Sequence, residues 1–261
     1  MVGDDDMAQD FVSELKSGKD VITGWCGIPN GLVVEALLTA GYHTVTLDMQ
    51  HGFHDISSIL TCVASAKMMD QRLIVRIPVG EWGTASRALD MGAAAVIAPM
   101  INTVEDAQAF AAAMKFPPIG ARSWGPGRAM VVTGQPNPSA YLSSANDETL
   151  AIAMIETREA LDNLDAILAV PGIDGIFVGP SDVSVTFSDG AEINQFGENT
   201  IGVIEDIAAR TIAAGKIPCI FAILPEQLKL SRSLGYRLCA LSTDGGAIAR
   251  GAAQLLSEAE D

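Results

Sequence analysis

Five ionisable residues of this chain stand at or near the downstream ends of short apolar runs, where a side chain leaves buried backbone and can meet a ligand. Leu47-Asp48-Met49-Gln50-His51-Gly52 places a carboxylate and an imidazole three residues apart. Ile74-Val75-Arg76-Ile77-Pro78 embeds a guanidinium in a β-branched run. Met154-Ile155-Glu156-Thr157-Arg158 and Phe177-Val178-Gly179-Pro180-Ser181-Asp182 each carry an apolar run into an acid. Asp48, His51, Arg76, Glu156 and Asp182 together suit acid–base chemistry beside a bound cation.

Glu156 and Asp182 have no Lys or Arg at their depth. Two close carboxylates repel, and one pKa rises. A divalent ion relieves that repulsion, and an oxygen-only pair suits Mg²⁺, Mn²⁺ or Co²⁺. The plainer reading pairs Glu156 with Arg158 and makes Asp182 a helix cap, a position Asp favours. Asp48 is spaced to bond the His51 imidazole and fix its tautomer, which makes His51 a base; an ordinary loop histidine is the alternative. His54 is a second base candidate near the same rim, and His43 opens a strand at the opposite end. Arg76 in a buried run needs an anion. Asp48 is one partner; a ligand carboxylate or enolate, which the guanidinium fork matches, is the expected one. None of the six lysines (Lys16, Lys19, Lys67, Lys115, Lys216, Lys229) ends a strand. A Schiff-base enzyme needs a buried lysine at its mouth, so carbanion stabilisation falls to a metal.

The elements that must position these residues read as a repeat. Apolar β-branched runs cover 21–27, 43–48, 73–78, 94–99, 151–156, 174–178, 217–222 and 237–242. They are continuous rather than alternating, as strands buried on both faces are. Between them lie helical stretches at 31–40, 56–69, 81–91, 104–113, 160–169, 197–214 and 226–234, with a last helix at 245–258. Several end on a glycine, as at Gly41, Gly92, Gly172, Gly215 and Gly235. Eight β/α units in one 261-residue domain predict a closed (β/α)₈ barrel with its site at the strand C-termini. An open doubly wound sheet is less suitable, because no strand precedes Gly-x-Gly-x-x-Gly. The Pro- and Gly-rich stretch 116–146 reads as a long functional loop on the catalytic face.

The chain is 49% hydrophobic, with a net charge of −16. Without a basic stripe it is not expected to bind nucleic acid. No run reaches the ~18 uncharged apolar residues of a membrane span. The acidic start, MVGDDDMAQDF, resembles neither a signal nor a transit peptide. Four scattered cysteines without zinc spacing read as reduced, buried thiols, which predicts a cytoplasmic chain. Acids at the two ends, Asp4–Asp6 and Glu258, Glu260 and Asp261, read as solubilising charge.

These motifs, with Gly24-Trp25 and Leu89-Asp90-x-Gly92-Ala93, resemble the HpcH/HpaI aldolase family of metal-dependent class II pyruvate aldolases. The family includes 4-hydroxy-2-oxoheptanedioate and 2-dehydro-3-deoxyglucarate aldolases. The resemblance runs from about Val21 to Ala253. It implies a (β/α)₈ barrel assembled as a homo-hexamer, a trimer of dimers with the last helix exchanged. It implies a divalent metal on Glu156 and Asp182, chelated by pyruvate or a related 2-oxo acid that reacts with an aldehyde. Arg76 would contact the keto oxygen, and Asp48 and His51 would serve as acid and base. Backbone around Gly179, Pro180 and Ser181 would hold the substrate carboxylate, with Trp25 in the same pocket. Asp90 has a counterpart near the subunit interface. Gln50 and Met154 depart from the Glu and Gln of many members, which bears on donor and acceptor identity. The family also contains enzymes that cleave acyl-CoA substrates such as malyl- or citryl-CoA, but no basic patch suits a CoA tail here. A barrel without enzymatic activity is the remaining alternative. Arg122 and Arg128 either meet an acidic tail on the acceptor or pair with surface acids.

Overall fold

A computed structural model describes residues 10–260. Asp4–Asp6 and Asp261 lie outside the described residues. Eight parallel strands close into a barrel in sequence order: β1 (Val21–Cys26), β2 (Thr44–Asp48), β3 (Ile74–Arg76), β4 (Ala95–Ala98), β5 (Leu150–Ile155), β6 (Gly175–Val178), β7 (Ile217–Ala222) and β8 (Leu238–Thr243). Helices α1 (Phe11–Lys16), α2 (Gly31–Thr39), α3 (Ile56–Met68), α4 (Trp82–Met91) and α5 (Val104–Met114) accompany the first half. The second half carries α6 (Gly127–Thr133), α7 (Pro138–Glu148), α8 (Arg158–Asp162), α9 (Leu164–Leu168), α10 (Pro180–Phe187), α11 (Glu198–Ala213), α12 (Pro225–Ser233) and α13 (Asp244–Glu258).

The strands are buried on both faces, which explains their unbroken apolar sequence. Inside the barrel, Ile74, Ile97, Ile152, Phe177 and Leu238 pack in one cluster. Outward residues such as Val45, Val75, Val96 and Ile176 pack with the helices. Short polar side chains start the helices at the strand ends. Asp55 and Ser58 form a capping box on α3, as do Thr103 and Asp106 on α5, and Thr157 caps α8. All four cysteines are free and buried, and burial pushes each thiol pKa up. Among the described residues, no helix is long and apolar enough to cross a membrane.

Three features depart from the sequence reading. Phe11, Val12 and Leu15 of the unanticipated α1 join the interior cluster, so this helix seals one end of the barrel. The helix expected at 160–169 divides at Asn163 into α8 and α9. The stretch 116–146 is not an irregular loop on the catalytic face. It contains α6 and most of α7, with a small core of Phe116, Ala129, Tyr141 and Ala145. It follows α5 rather than β4, so it returns the chain to the start of β5 and lies at the strand N-termini. Lys115 bonds the carbonyls of Asn146 and Thr149 there, and Val132 packs on Gly92 at the end of α4.

Candidate active site

Parallel pairing puts Asp48, the last residue of β2, in register with Arg76, the last of β3. Their side chains form a two-point ion pair: Nε donates to Oδ1 at 2.9 Å and Nη2 to Oδ2 at 2.6 Å. Trp25 Nε1 adds a bond to Oδ2 at 3.2 Å, and its ring lies 4.8 Å from the guanidinium carbon. Burial raises the Asp48 pKa, but Arg76, the His51 backbone N–H and Trp25 outweigh it and hold the carboxyl below its usual value. Arg76 was expected to serve mainly a ligand anion, yet it is already paired. The reason is register: a neighbouring strand places a carboxylate opposite it. Its Nη1 makes none of these bonds, and Arg76 lines the cavity described below. The expected Asp48–imidazole bond is also absent. Asp48 Oδ1 instead accepts from the backbone N–H of Gln50 at 3.0 Å and of His51 at 3.3 Å. The turn folds its amides over the carboxylate, leaving the His51 ring exposed at the cavity wall.

Glu156 follows β5 directly, and Asp182 lies in the first turn of α10. Neither takes the plainer role. Arg158 pairs with Asp189 at 3.2 Å, and the α10 cap position is Gly179. A Cβ built on Gly179 would stand 2.6 Å from Glu156 Oε1 and 3.2 Å from Asp182 Oδ2. The two carboxylates thus flank a position that only glycine leaves open. Burial, then the nearby Asp182 charge, pushes the Glu156 pKa up to about 7. Glu156 Oε2 also accepts from the Met100 N–H at 3.1 Å. Met100 has φ +54°, a left-handed conformation unusual for a non-glycine residue and of the kind concentrated at functional sites.

A cavity of about 600 Å³ opens between the ends of β1, β2, β3, β5, β6, β7 and β8. Trp25, Asp48, His51, Arg76, Gly179, Pro180, Ser181 and Asp182 all line it. Glu156 is 3% exposed and sits behind Gly179. Trp25 contacts Phe177 and Phe221, at ring-centroid distances of 5.6 and 5.3 Å, giving the floor an aromatic face. Gly52 is required where the β2 loop crosses the β1 loop. A Cβ there would lie 2.4 Å from the Asp48 carbonyl oxygen and 2.9 Å from Gly27 Cα.

The sequence model of the HpcH/HpaI aldolase/citrate lyase family matches residues 24–250. The chain belongs to this family. A hydroxypyruvate/pyruvate aldolase of Rhizorhabdus wittichii is 33% identical over 242 residues, covering 93% of this chain and 95% of its own. A 4-hydroxy-2-oxo-heptane-1,7-dioate aldolase of Salmonella heidelberg is 32% identical, covering 95% and 94%. The crystal structure of an HpcH/HpaI aldolase from Desulfitobacterium hafniense superposes with a TM-score of 0.87 at 24% identity, over 97% of both chains, and shares the fold.

Other expected site residues of this HpcH/HpaI chain lie elsewhere. Arg122 is buried near the strand N-termini, where its Nη2 donates to Asp90 at 2.6 Å and its guanidinium covers Phe116. Neither Arg122, Asp90 nor the exposed Arg128 lines the cavity. Asp90 lies in the last turn of α4, Arg122 follows α5 and Arg128 lies in α6, which places them away from the strand C-termini. Gln50 is partly buried with Oε1 lacking a partner, and it does not line the cavity. His54 is buried, its Nδ1 3.1 Å from Ser58 Oγ, and burial lowers its pKa despite the nearby Asp244, Asp48 and Asp55. Met154 does line the cavity.

Asp244 is the wall residue that the motif reading missed. It directly follows β8, and Oδ2 accepts from the N–H groups of Gly27 at 2.9 Å and Ile28 at 2.8 Å. Its signal was an acid at a strand end, as for Glu156. A strand read one residue short, ending at Ser242, concealed it.

Proposed function

We propose that this chain is a divalent-metal-dependent aldolase that interconverts a 4-hydroxy-2-oxo acid with pyruvate, or a related 2-oxo acid, and an aldehyde. The observation that carries this reading is the pair of opposed carboxylates, Glu156 and Asp182, beside the cavity that also holds Arg76 and His51. Among the described residues no group of three or more His, Cys, Asp and Glu gathers as a metal cage. Two oxygen ligands nevertheless fit an open site for a hard cation, whose remaining positions go to water and substrate. Burial first and the Asp182 charge second raise the Glu156 pKa, and a bound cation would offset both. When held by Glu156 and Asp182, the ion supplies Lewis-acid charge to the substrate's keto oxygen.

The chain's own groups account for the rest. The Arg76 Nη1–H faces developing negative charge on the keto oxygen, while Asp48 fixes the guanidinium in place. Ser181 and Asp182 supply amide N–H groups at the start of α10 for the substrate carboxylate, and Pro180 supplies none. His51 takes the C4 hydroxyl proton as the C3–C4 bond breaks, and the bond's electron pair passes into the enolate. Protonation at C3 then gives the 2-oxo acid. In reverse, a base removes a methyl proton from bound pyruvate. The named aldolase relatives support this reaction class. The exposed Ile248, Leu255 and Leu256 of α13 support assembly through that helix into a homo-oligomer.

Exchange of pyruvate methyl protons with D₂O, followed by NMR, tests the reading without knowledge of the aldehyde. Exchange is expected to stop after chelation and return with Mg²⁺, Mn²⁺ or Co²⁺. Full exchange after chelation, or a borohydride-trapped pyruvate adduct, would overturn it.

A further inference from the structure

The loop between β4 and α5 is tied to β5 on both sides of Glu156. Ahead of that residue, the Ile101 N–H donates to the Met154 carbonyl at 3.3 Å. Behind it, Thr157 Oγ1 donates to Asn102 Oδ1 at 2.6 Å. The same hydroxyl accepts from the Ala160 N–H at 3.0 Å as the cap of α8. Further bonds hold the loop backbone: Asn163 Nδ2 donates to the Asn102 carbonyl at 2.9 Å, and Asp106 Oδ2 accepts from the Asn102 and Thr103 N–H groups at 3.3 and 3.1 Å. Next to these anchors, the Met100 N–H donates to Glu156 Oε2 at 3.1 Å.

Regular strand pairing would not put that amide on Glu156. The β4–β5 ladder ends with Ala98 opposite Ala153. Pro99 has no N–H to extend it, and Met100 turns left-handed, at φ +54°. A residue with a Cβ disfavours that conformation and keeps it only where its surroundings over-determine it. Here the anchors at Ile101 and Asn102 do so. The amide also settles what the side chain alone leaves open. The terminal torsion of a glutamate is broad, so rotamer preference does not fix its carboxylate. Repulsion from Asp182 would turn the group away. With Oε2 held by Met100, Oε1 stays on the side of Gly179 and Asp182.

We infer that Asn102 is a positioning residue for the carboxylate pair: through its bond with Thr157 it fixes the Met100 amide against Glu156 Oε2, and so keeps Oε1 turned toward Asp182. The inference rests on the reading above for the cation that the pair receives, and it adds the loop that presents the pair.

Mn²⁺ alone, titrated calorimetrically into chelator-treated protein, tests this without substrate. In Asn102→Ala the affinity is expected to fall about tenfold, as when a partner that orients a metal ligand is lost. Thr157→Val is expected to do the same, and Thr157→Ser, which keeps the hydroxyl, to restore the affinity. Thr103→Ala removes the neighbouring α5 cap but neither anchor. It is expected to lower stability and leave Mn²⁺ affinity unchanged. In pyruvate proton exchange, Asn102→Ala should need about tenfold more Mn²⁺ for half-saturation and then approach the unmodified rate. Unaltered affinity in Asn102→Ala and Thr157→Val overturns the inference, as does an equal loss in Thr103→Ala. Glu156→Gln separates the two levels. Mn²⁺ binding lost in Glu156→Gln but intact in Asn102→Ala removes only the positioning role. Binding that survives Glu156→Gln removes the metal reading and the inference with it.

Discussion

Two buried ions at opposite ends of the barrel, Lys115 and Glu156, are treated in opposite ways. At the strand N-termini, Lys115 is 1% exposed and fully engaged: Nζ meets Asp174 at 2.8 Å and the carbonyls of Asn146 and Thr149 at 2.8 and 2.7 Å. At the strand C-termini, the equally buried Glu156 faces a second carboxylate. A buried ion costs several kcal/mol unless it is paired. The first end minimises that cost with an opposite charge. The second leaves it in place beside Gly179, and this is the cost that the proposed metal would offset.

The largest effect should come from Glu156→Gln. Activity and tight binding of a divalent ion are expected to fall by three orders of magnitude or more, because half of the proposed ligand set is lost. Stability should move the other way. The folded Glu156 pKa, at about 7, lies above its ordinary 4.5. Well below pH 4.5 both folded and unfolded chains are protonated there, and Glu156 costs nothing. As pH rises, the unfolded chain ionises first, so the penalty grows and is complete once pH passes about 7. By linkage it approaches roughly 3 kcal/mol. Chelator-treated Glu156→Gln should therefore melt higher than the unmodified protein at pH 8, with the gap closing by pH 4.5. Equal melting at pH 8 would mean that ionised Glu156 carries no penalty from its burial and the Asp182 charge.

Arg76→Lys comes next. An ammonium cannot bridge Asp48 at two points and still present a donor to the keto oxygen. Exchange and condensation should slow by about two orders of magnitude, while divalent-ion affinity, measured by calorimetry, changes little. Unchanged turnover would reduce Arg76 to a structural partner of Asp48.

Lys115→Met probes the other end. It leaves Asp174 and two carbonyls short of a donor in a buried place, at a cost of about 3 kcal/mol in denaturant unfolding. Proton exchange per folded molecule should be unaffected. A selective loss of activity would show that the two ends are not independent.

The same contrast explains what the sequence disclosed. The barrel was readable because its strands are buried on both faces and its helices open with recognisable caps, as at Asp55–Ser58 and Thr103–Asp106. Glu156 and Arg76 were legible as candidates because a charge at the end of an apolar strand is unusual, and Asp182 because it follows such a strand within one helical turn. Side-chain partners were not readable. The Asp48–Arg76 pair depends on β2–β3 register, and the route of 116–146 depends on which helix end it leaves. Spacing in sequence suggested that Asp48 would meet the His51 ring, but the turn presents the backbone amide instead.

Asp244→Asn should have the smallest effect. Asn can keep an oxygen toward the Gly27 and Ile28 amides, but its NH₂ then faces the Gly245 N–H, which now donates to Asp244 Oδ1 at 2.8 Å. Losing that one bond should cost about 1 kcal/mol in thermal or denaturant unfolding. The bonds to the Gly27 and Ile28 amides pin the β1 loop beside the cavity, and Asn keeps them, so pyruvate proton exchange per folded molecule should be retained. A selective loss of exchange without a matching loss of stability would show that Asp244 does more than hold that loop.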